Sequence, residues 1–123
     1  MQWVLDSSSF IEIGRNTETG QNIIKMIGEE PIVLSSITVY EILRGLKPHE
    51  EVIVGHLNNA DIINFDENSA KESANIEKTL AKKGTMINRL DILIAGSCMA
   101  NNMGMITIDK DFLRIDGLKV KLV

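Results

Sequence analysis

The lone cysteine of this 123-residue chain, Cys98, has nothing to pair with inside the chain. No internal disulfide framework is available, and a reducing, cytoplasmic setting is expected. Ile94, Ala95, Met99 and Ala100 around it suggest a buried thiol in a packed helix. No apolar run approaches the roughly 20 residues that span a bilayer, and Asp6 interrupts the stretch a signal peptide would need, so neither export nor membrane anchoring is expected. Only two histidines occur, His49 and His56, with no zinc-ligand or triad context. Repeats, linkers and low-complexity segments are missing, and the length leaves room for one core, so residues 1–123 are expected to form one domain. An excess of positive charge is missing too. The net charge is -4, which argues against a broad basic surface for nucleic acid. It does not exclude a nuclease, because carboxylates that hold divalent metal count as negative in a tally yet are neutralised in a working site.

What is present alternates. Short apolar runs at 2–5, 31–34, 61–65, 103–108 and 118–123 read as strands. Between them the pattern predicts helices near 9–13 and 17–27, a hairpin of helices over 36–58, a polar helix over 66–83 with Ala70, Ala74, Ile76 and Leu80 inward, and a helix over 88–102. Ser35 and Ser36 are N-cap candidates, and Gly28 and Gly84 close their helices. Ala95, Gly96, Ser97, Cys98 and Ala100 make the last helix rich in small residues, which permits close approach to a sheet. A turn of helix is expected around Phe112. Strands alternating with helices argue for an α/β fold, a parallel sheet with helices on both faces.

Ligands of such sheets sit beyond the carboxyl ends of the strands. Asp6 follows the first strand and Asp109 the fourth. Glu41 stands early in the helix leaving the second strand. Asp91 opens the helix that precedes the fourth strand, and that helix must run antiparallel to the strands, which puts its N-terminus at the same edge. Each acid also has a plain structural account. Asp6 can cap a turn, Asp91 can complete a cap with Asn88, Glu41 can pair with Arg44 at i,i+3, and Asp109 can be a loop acid. Together, however, like charges held close repel unless protons or cations intervene.

Val4-Leu5-Asp6-Ser7-Ser8, then Ser36 to Gly45 around Glu41, then Asp91-Ile92-Leu93-Ile94-Ala95, then Ile106-Thr107-Ile108-Asp109-Lys110-Asp111-Phe112 resemble in order and spacing the successive motifs of PIN-domain nucleases. The length is similar to that of the VapC toxins of type II toxin–antitoxin modules. The resemblance implies a five-stranded sheet of order 3-2-1-4-5, Mg²⁺ or Mn²⁺ held by the acids, endonucleolytic cleavage of RNA, homodimerisation, and inhibition by a VapB-type antitoxin. Asp6, Asp91 and Asp109 would then hold metal, and Glu41 would be a ligand or orient the attacking water. Many relatives carry a proline shortly before the third acid, where Ile87, Asn88 and Arg89 stand here. Asp109 and Asp111 both compete for the last ligand position; Asp109 is preferred and Asp111 placed behind it.

Ser7 and Thr107 lie next to acids and are expected to support them. Arg15, Arg44 and Arg89 are candidates for phosphate contact or ordinary surface charges, while Lys82 and Lys83 are most simply explained by the negative end of their helix. Tyr40 could stack on a base, although burial is the simpler fate. Two other accounts remain open. A receiver-type signalling domain would be phosphorylated at Asp66 after the third strand, but it wants paired acids after the first strand and a lysine after the fifth. A catalytically silent module of the same fold would bind RNA or protein without turnover.

Overall fold

The computed structural model describes residues 1–123. Five parallel strands, β1 (Trp3–Leu5), β2 (Val33–Ser35), β3 (Asp61–Ile63), β4 (Gly104–Thr107) and β5 (Val120–Leu122), form one sheet of order β3-β2-β1-β4-β5. The connections are α1 (Ser7–Gly14), α2 (Glu18–Ile27), α3 (Ser36–Gly45), α4 (Glu51–Asn58), α5 (Glu67–Lys83) and α6 (Arg89–Ala100), with a 3₁₀ turn at Lys110–Arg114. Sheet order and helices on both faces are as expected, and no helix is long and apolar enough to cross a membrane.

The strand pleat sorts the core. Val4 registers with Val33 and Met105, and all three face α5 and α6, where Ile76, Leu80, Ile92 and Cys98 complete the packing. Leu5 registers with Leu34 and Ile106, and this opposite face takes Phe10, Ile23, Ile42 and Ile53 from α1 to α4. Each fully buried aliphatic side chain contributes about 1.5–3 kcal/mol, so both helical layers are held chiefly by these two clusters.

Side-chain caps start the helices. Asp6, Thr17, Ser35, Asp66 and Asn88 accept backbone N–H bonds from Ser9, Gly20, Thr38, Ser69 and Leu90. Gly84, in the left-handed region at φ +66°, ends α5.

Two expectations about packing need correction. Ala70 and Ala74 are exposed, and α5 instead turns Ser69, Ser73, Ile76 and Leu80 inward. The cause lies in α6. A Cβ at Gly96 would stand 1.9 Å from the Ser73 hydroxyl and 2.9 Å from the Ser69 carbonyl, so Gly96 lets α6 approach α5, while Ala95 and Cys98 of the same run pack against the sheet as expected. Second, the hairpin over 36–58 carries more apolar side chains than one sheet face is expected to cover, notably Leu46, Val52, Ile53, Val54 and Leu57, with part of them left for a two-fold interface; of these Ile53 is buried at 2% exposure, and Leu46 and Leu57 pack against the same cluster. Tyr40, Leu43 and Val52 are the large hydrophobic side chains left exposed there.

Candidate active site

Asp6 ends β1 and caps α1, and it is 3% exposed. One carboxylate oxygen accepts the Ser9 N–H at 3.2 Å; the other accepts the Thr107 hydroxyl at 2.8 Å and the Ser8 hydroxyl at 3.3 Å. Thr107, the last residue of β4, is fully buried, and its oxygen also accepts the Asp109 N–H at 3.0 Å. A single hydroxyl therefore ties the acid of β1 to the backbone carrying the acid of β4. Parallel pairing of Leu5 with Ile106 sets this up, because the next residue on each strand is Asp6 or Thr107. Asp109 caps the 3₁₀ turn by accepting the Asp111 N–H at 2.9 Å.

Glu41 lies in the second turn of α3, and its carboxylate accepts the Ser7 hydroxyl at 2.6 Å. That bond, and not an ion pair with Arg44, fixes it. Asp91 sits half-buried in the first turn of α6, behind the Asn88 cap. Burial pushes its carboxyl up to about 7, and the charges of Glu41, Asp109, Asp6 and Asp111 push in the same direction. Burial likewise raises Asp6, opposed by hydrogen bonds from Ser9, Thr107 and Ser8. The predicted acids thus come from β1, α3, α6 and the end of β4 to one edge of the sheet, close enough for Asp91 to feel the other four carboxylates. The N-termini of α1 and α6 add favourable dipole ends there.

The donor set suits a hard divalent cation: carboxylate oxygens, with no thiolate or imidazole contributed by these elements. No three of the side chains are drawn together into a closed ligand shell. Mutual repulsion among carboxylates opposes closer approach. Cys98 takes no part; it is fully buried, and burial, followed by the charge of Asp6, pushes its thiol up to about 12.

The predicted cations separate. Arg89 opens α6 beside Asp91 and bonds Glu77 at 3.0 Å. Arg15 is at the far end of α1, about 13 Å along the helix from Asp6, and pairs with Glu50 at 3.3 Å. Arg44 extends over the ring of Tyr40. Tyr40 is 54% exposed, which corrects its expected burial. Lys83 pairs with Asp116, bridging the end of α5 to the loop after the 3₁₀ turn. Asp66 is committed as the α5 cap, its carboxylate accepting the Ser69 N–H and hydroxyl, and these hydrogen bonds lower its pKa. Ser9, which no motif singles out, holds Asp6 through its backbone N–H; its i,i+3 spacing from the capping aspartate was the available signal.

The chain is similar to known proteins in sequence and in fold. The PIN domain family model matches residues 3–118. Ribonuclease VapC3 of Methanocaldococcus jannaschii is 35% identical over 96 residues, covering 77% of this chain and 96% of that protein. The tRNA(fMet)-specific endonuclease VapC of Salmonella typhimurium is 28% identical over 95 residues, 72% of each. Among solved structures, VapBC2 from Rickettsia felis, bound to a DNA fragment from its promoter, superposes with a TM-score of 0.84 at 23% identity, covering 99% of this chain and 98% of that one. With the family model matched across nearly the whole sheet, and a relative above 30% identity that the chain spans almost completely, this protein belongs to the PIN-domain family.

Proposed function

We propose that the chain is a Mg²⁺- or Mn²⁺-dependent endoribonuclease, the toxin of a VapBC-type pair, working in the cytoplasm as a homodimer and held inactive by a VapB-type antitoxin. The observation that carries this reading is the convergence of Asp6, Glu41, Asp91 and Asp109, from four separate segments, at one edge of the sheet, close enough that burial and their charges push the Asp91 carboxyl up. A folded chain that keeps such a cluster keeps it for a cation or a proton. Relatives named ribonuclease and tRNA(fMet)-specific endonuclease support RNA as substrate, and the VapBC complex supports the antitoxin.

Asp6, Asp91 and Asp109 would hold the metal, which when bound supplies Lewis acidity and offsets charge on the leaving oxygen. Thr107 keeps the Asp6 carboxylate and the Asp109 backbone in register, and Ser7 aims Glu41 at the same space. Glu41 would orient the attacking water or accept its proton. Asp111 stands behind Asp109, its N–H fixing the Asp109 carboxylate and its own carboxylate facing Arg114 at 3.6 Å. Arg89 stands beside Asp91 and would contact phosphate on exchange of Glu77.

The test is incubation with total RNA, with and without Mg²⁺ or Mn²⁺, beside Asp6→Asn protein. Metal-dependent fragments from the wild type alone are expected. Equal cleavage by both proteins, once a contaminating nuclease is excluded, would remove the site assignment; no cleavage by either would favour a silent binding module.

A further inference from the structure

Three side-chain hydroxyls are buried without a hydrogen-bond partner, those of Ser9, Ser73 and Thr85. Of these, Ser9 touches the acid cluster: it is fully buried in the first turn of α1, and its N–H donates to Asp6 Oδ1. Local energetics favour alanine at this position, since alanine is the better helix former and brings no polar atom into the core. A serine held there against both effects calls for a role outside packing.

The unfilled acceptor beside it is on Asp6. A carboxylate offers about four acceptor directions. Thr107 at 2.8 Å and Ser8 at 3.3 Å take two of them at Oδ2, while Oδ1 accepts only the Ser9 N–H at 3.2 Å. The Ser9 side chain stands close enough to that carboxylate to oppose the effect of burial on it. We propose that Ser9 is a positioning residue for the cation site, its hydroxyl donating to Asp6 Oδ1 beside its own N–H and leaving Oδ2 to meet the cation. Ser9 and Thr107, both fully buried, would then grip the carboxylate from the core side. The Ser8 contact, the longest of the three and made by an exposed residue, is the one a cation would displace.

The inference rests on the metal-dependent reading and deepens it. A hydroxyl kept for this purpose lowers stability and raises metal affinity, so its removal should move the two in opposite directions, whereas a packing residue would move stability alone. Alanine at this position retains the backbone N–H that caps α1, so the hydroxyl is tested by itself.

The probe is Mn²⁺ alone, titrated calorimetrically into the full chain, beside melting curves in chelator. Ser9→Ala is expected to weaken Mn²⁺ binding about tenfold, as loss of a hydrogen-bond partner of a ligating carboxylate does, while raising Tm in chelator by about 3 °C. Ser9→Cys, similar in size and a weak donor, should bind Mn²⁺ as weakly, and it carries the same comparison should the alanine variant not fold. Ser73→Ala, which removes the unpartnered hydroxyl facing Gly96, should leave Mn²⁺ affinity at the wild-type value. In the cleaving enzyme the Mn²⁺ concentration for half-maximal rate should rise about tenfold in Ser9→Ala, with kcat at saturating Mn²⁺ near the wild-type value. Unchanged Mn²⁺ affinity in Ser9→Ala, beside a wild-type chain that binds the ion, would overturn the role of Ser9 and leave the metal reading standing. So would equal losses of affinity in Ser9→Ala and Ser73→Ala, which would trace the effect to a general loosening of the fold. A wild-type chain that binds no Mn²⁺ would remove the metal reading itself, and the role of Ser9 with it.

Discussion

At the scale of single residues, the acids were legible and their energetics were not. Asp6 and Asp109 follow strands, so the alternation of elements places them at one edge; Asp91 follows from helix direction alone. That Asp91 is the most perturbed of them depends on how far α6 buries its first turn, which no spacing reports. Tyr40 was misjudged because hydrophobicity says which side chain gains from burial, not whether a partner surface exists. The Asp91 shift has a measurable consequence. A carboxyl at about 7 in the folded protein and in its ordinary range when unfolded binds its proton more tightly folded. Its contribution to stability is complete below the ordinary carboxylate range, fades as pH rises, and is gone above about 7. For metal-free protein, after discounting for solvent at a half-buried group, this amounts to about 1–2 kcal/mol, or roughly 3–8 °C in Tm. Asp91→Asn should flatten that part of the decline and melt at or above the wild type at pH 8. A smaller slope from the raised Asp6 should remain. Parallel melting curves for the two proteins from pH 4 to 8 would contradict the account of Asp91.

At the scale of elements, caps and turn residues marked most helix starts, and the inward face of α5 was the part misread. The run of small residues on α6 does meet the sheet through Ala95 and Cys98, but Gly96 of the same run meets α5, a second contact that the run does not name. On α5 the alanines were assigned inward over the serines because methyl groups are the more apolar. Against Gly96 the spacing between the two helices favours whichever small side chain falls on the contact line, and Ser69 and Ser73 fall there. The Ser73 hydroxyl is left buried without a hydrogen-bond partner. Gly96→Ala should therefore lower stability by about 1–3 kcal/mol through overpacking. Ser73→Ala alone should be neutral or raise stability by up to about 1 kcal/mol, since it removes an unsatisfied buried hydroxyl. Combining them should recover part of the Gly96→Ala loss, because the atom nearest the new methyl is gone. Urea denaturation of the three variants measures this, and strict additivity would show that the two positions do not meet.

At the scale of the whole molecule, parallel strands with helices on both faces followed from alternation, while the order 3-2-1-4-5 came only with the family resemblance, because strand adjacency is written in no local pattern. Leu43 and Val52 remain exposed on α3 and α4 after Ile53 has gone into the core, and a two-fold seam centred on them would remove that apolar surface from water. Light scattering of the antitoxin-free protein at micromolar concentration is expected to give a dimer, and monomer alone would count against the seam. The arrangement of charge across the fold also sets the chemistry of the products. Cleavage through the RNA's own 2′-hydroxyl needs a base and an acid flanking that group, usually with histidine or lysine among them, and leaves a cyclic phosphate. Here His49 precedes α4 and His56 lies in its last turn, and no acid of the cluster comes from that helix. Only carboxylates converge at the sheet edge, and carboxylates serve a divalent cation and a water. Cleaved RNA should therefore carry a 5′-phosphate and a 3′-hydroxyl, and a 2′-deoxy residue at the cut site should not stop the reaction for want of a nucleophile. Ligation and phosphatase sensitivity of a cleaved oligonucleotide identify the termini. A 2′,3′-cyclic phosphate formed in the presence of chelator would rule out the metal-dependent route and return attention to His49 and His56.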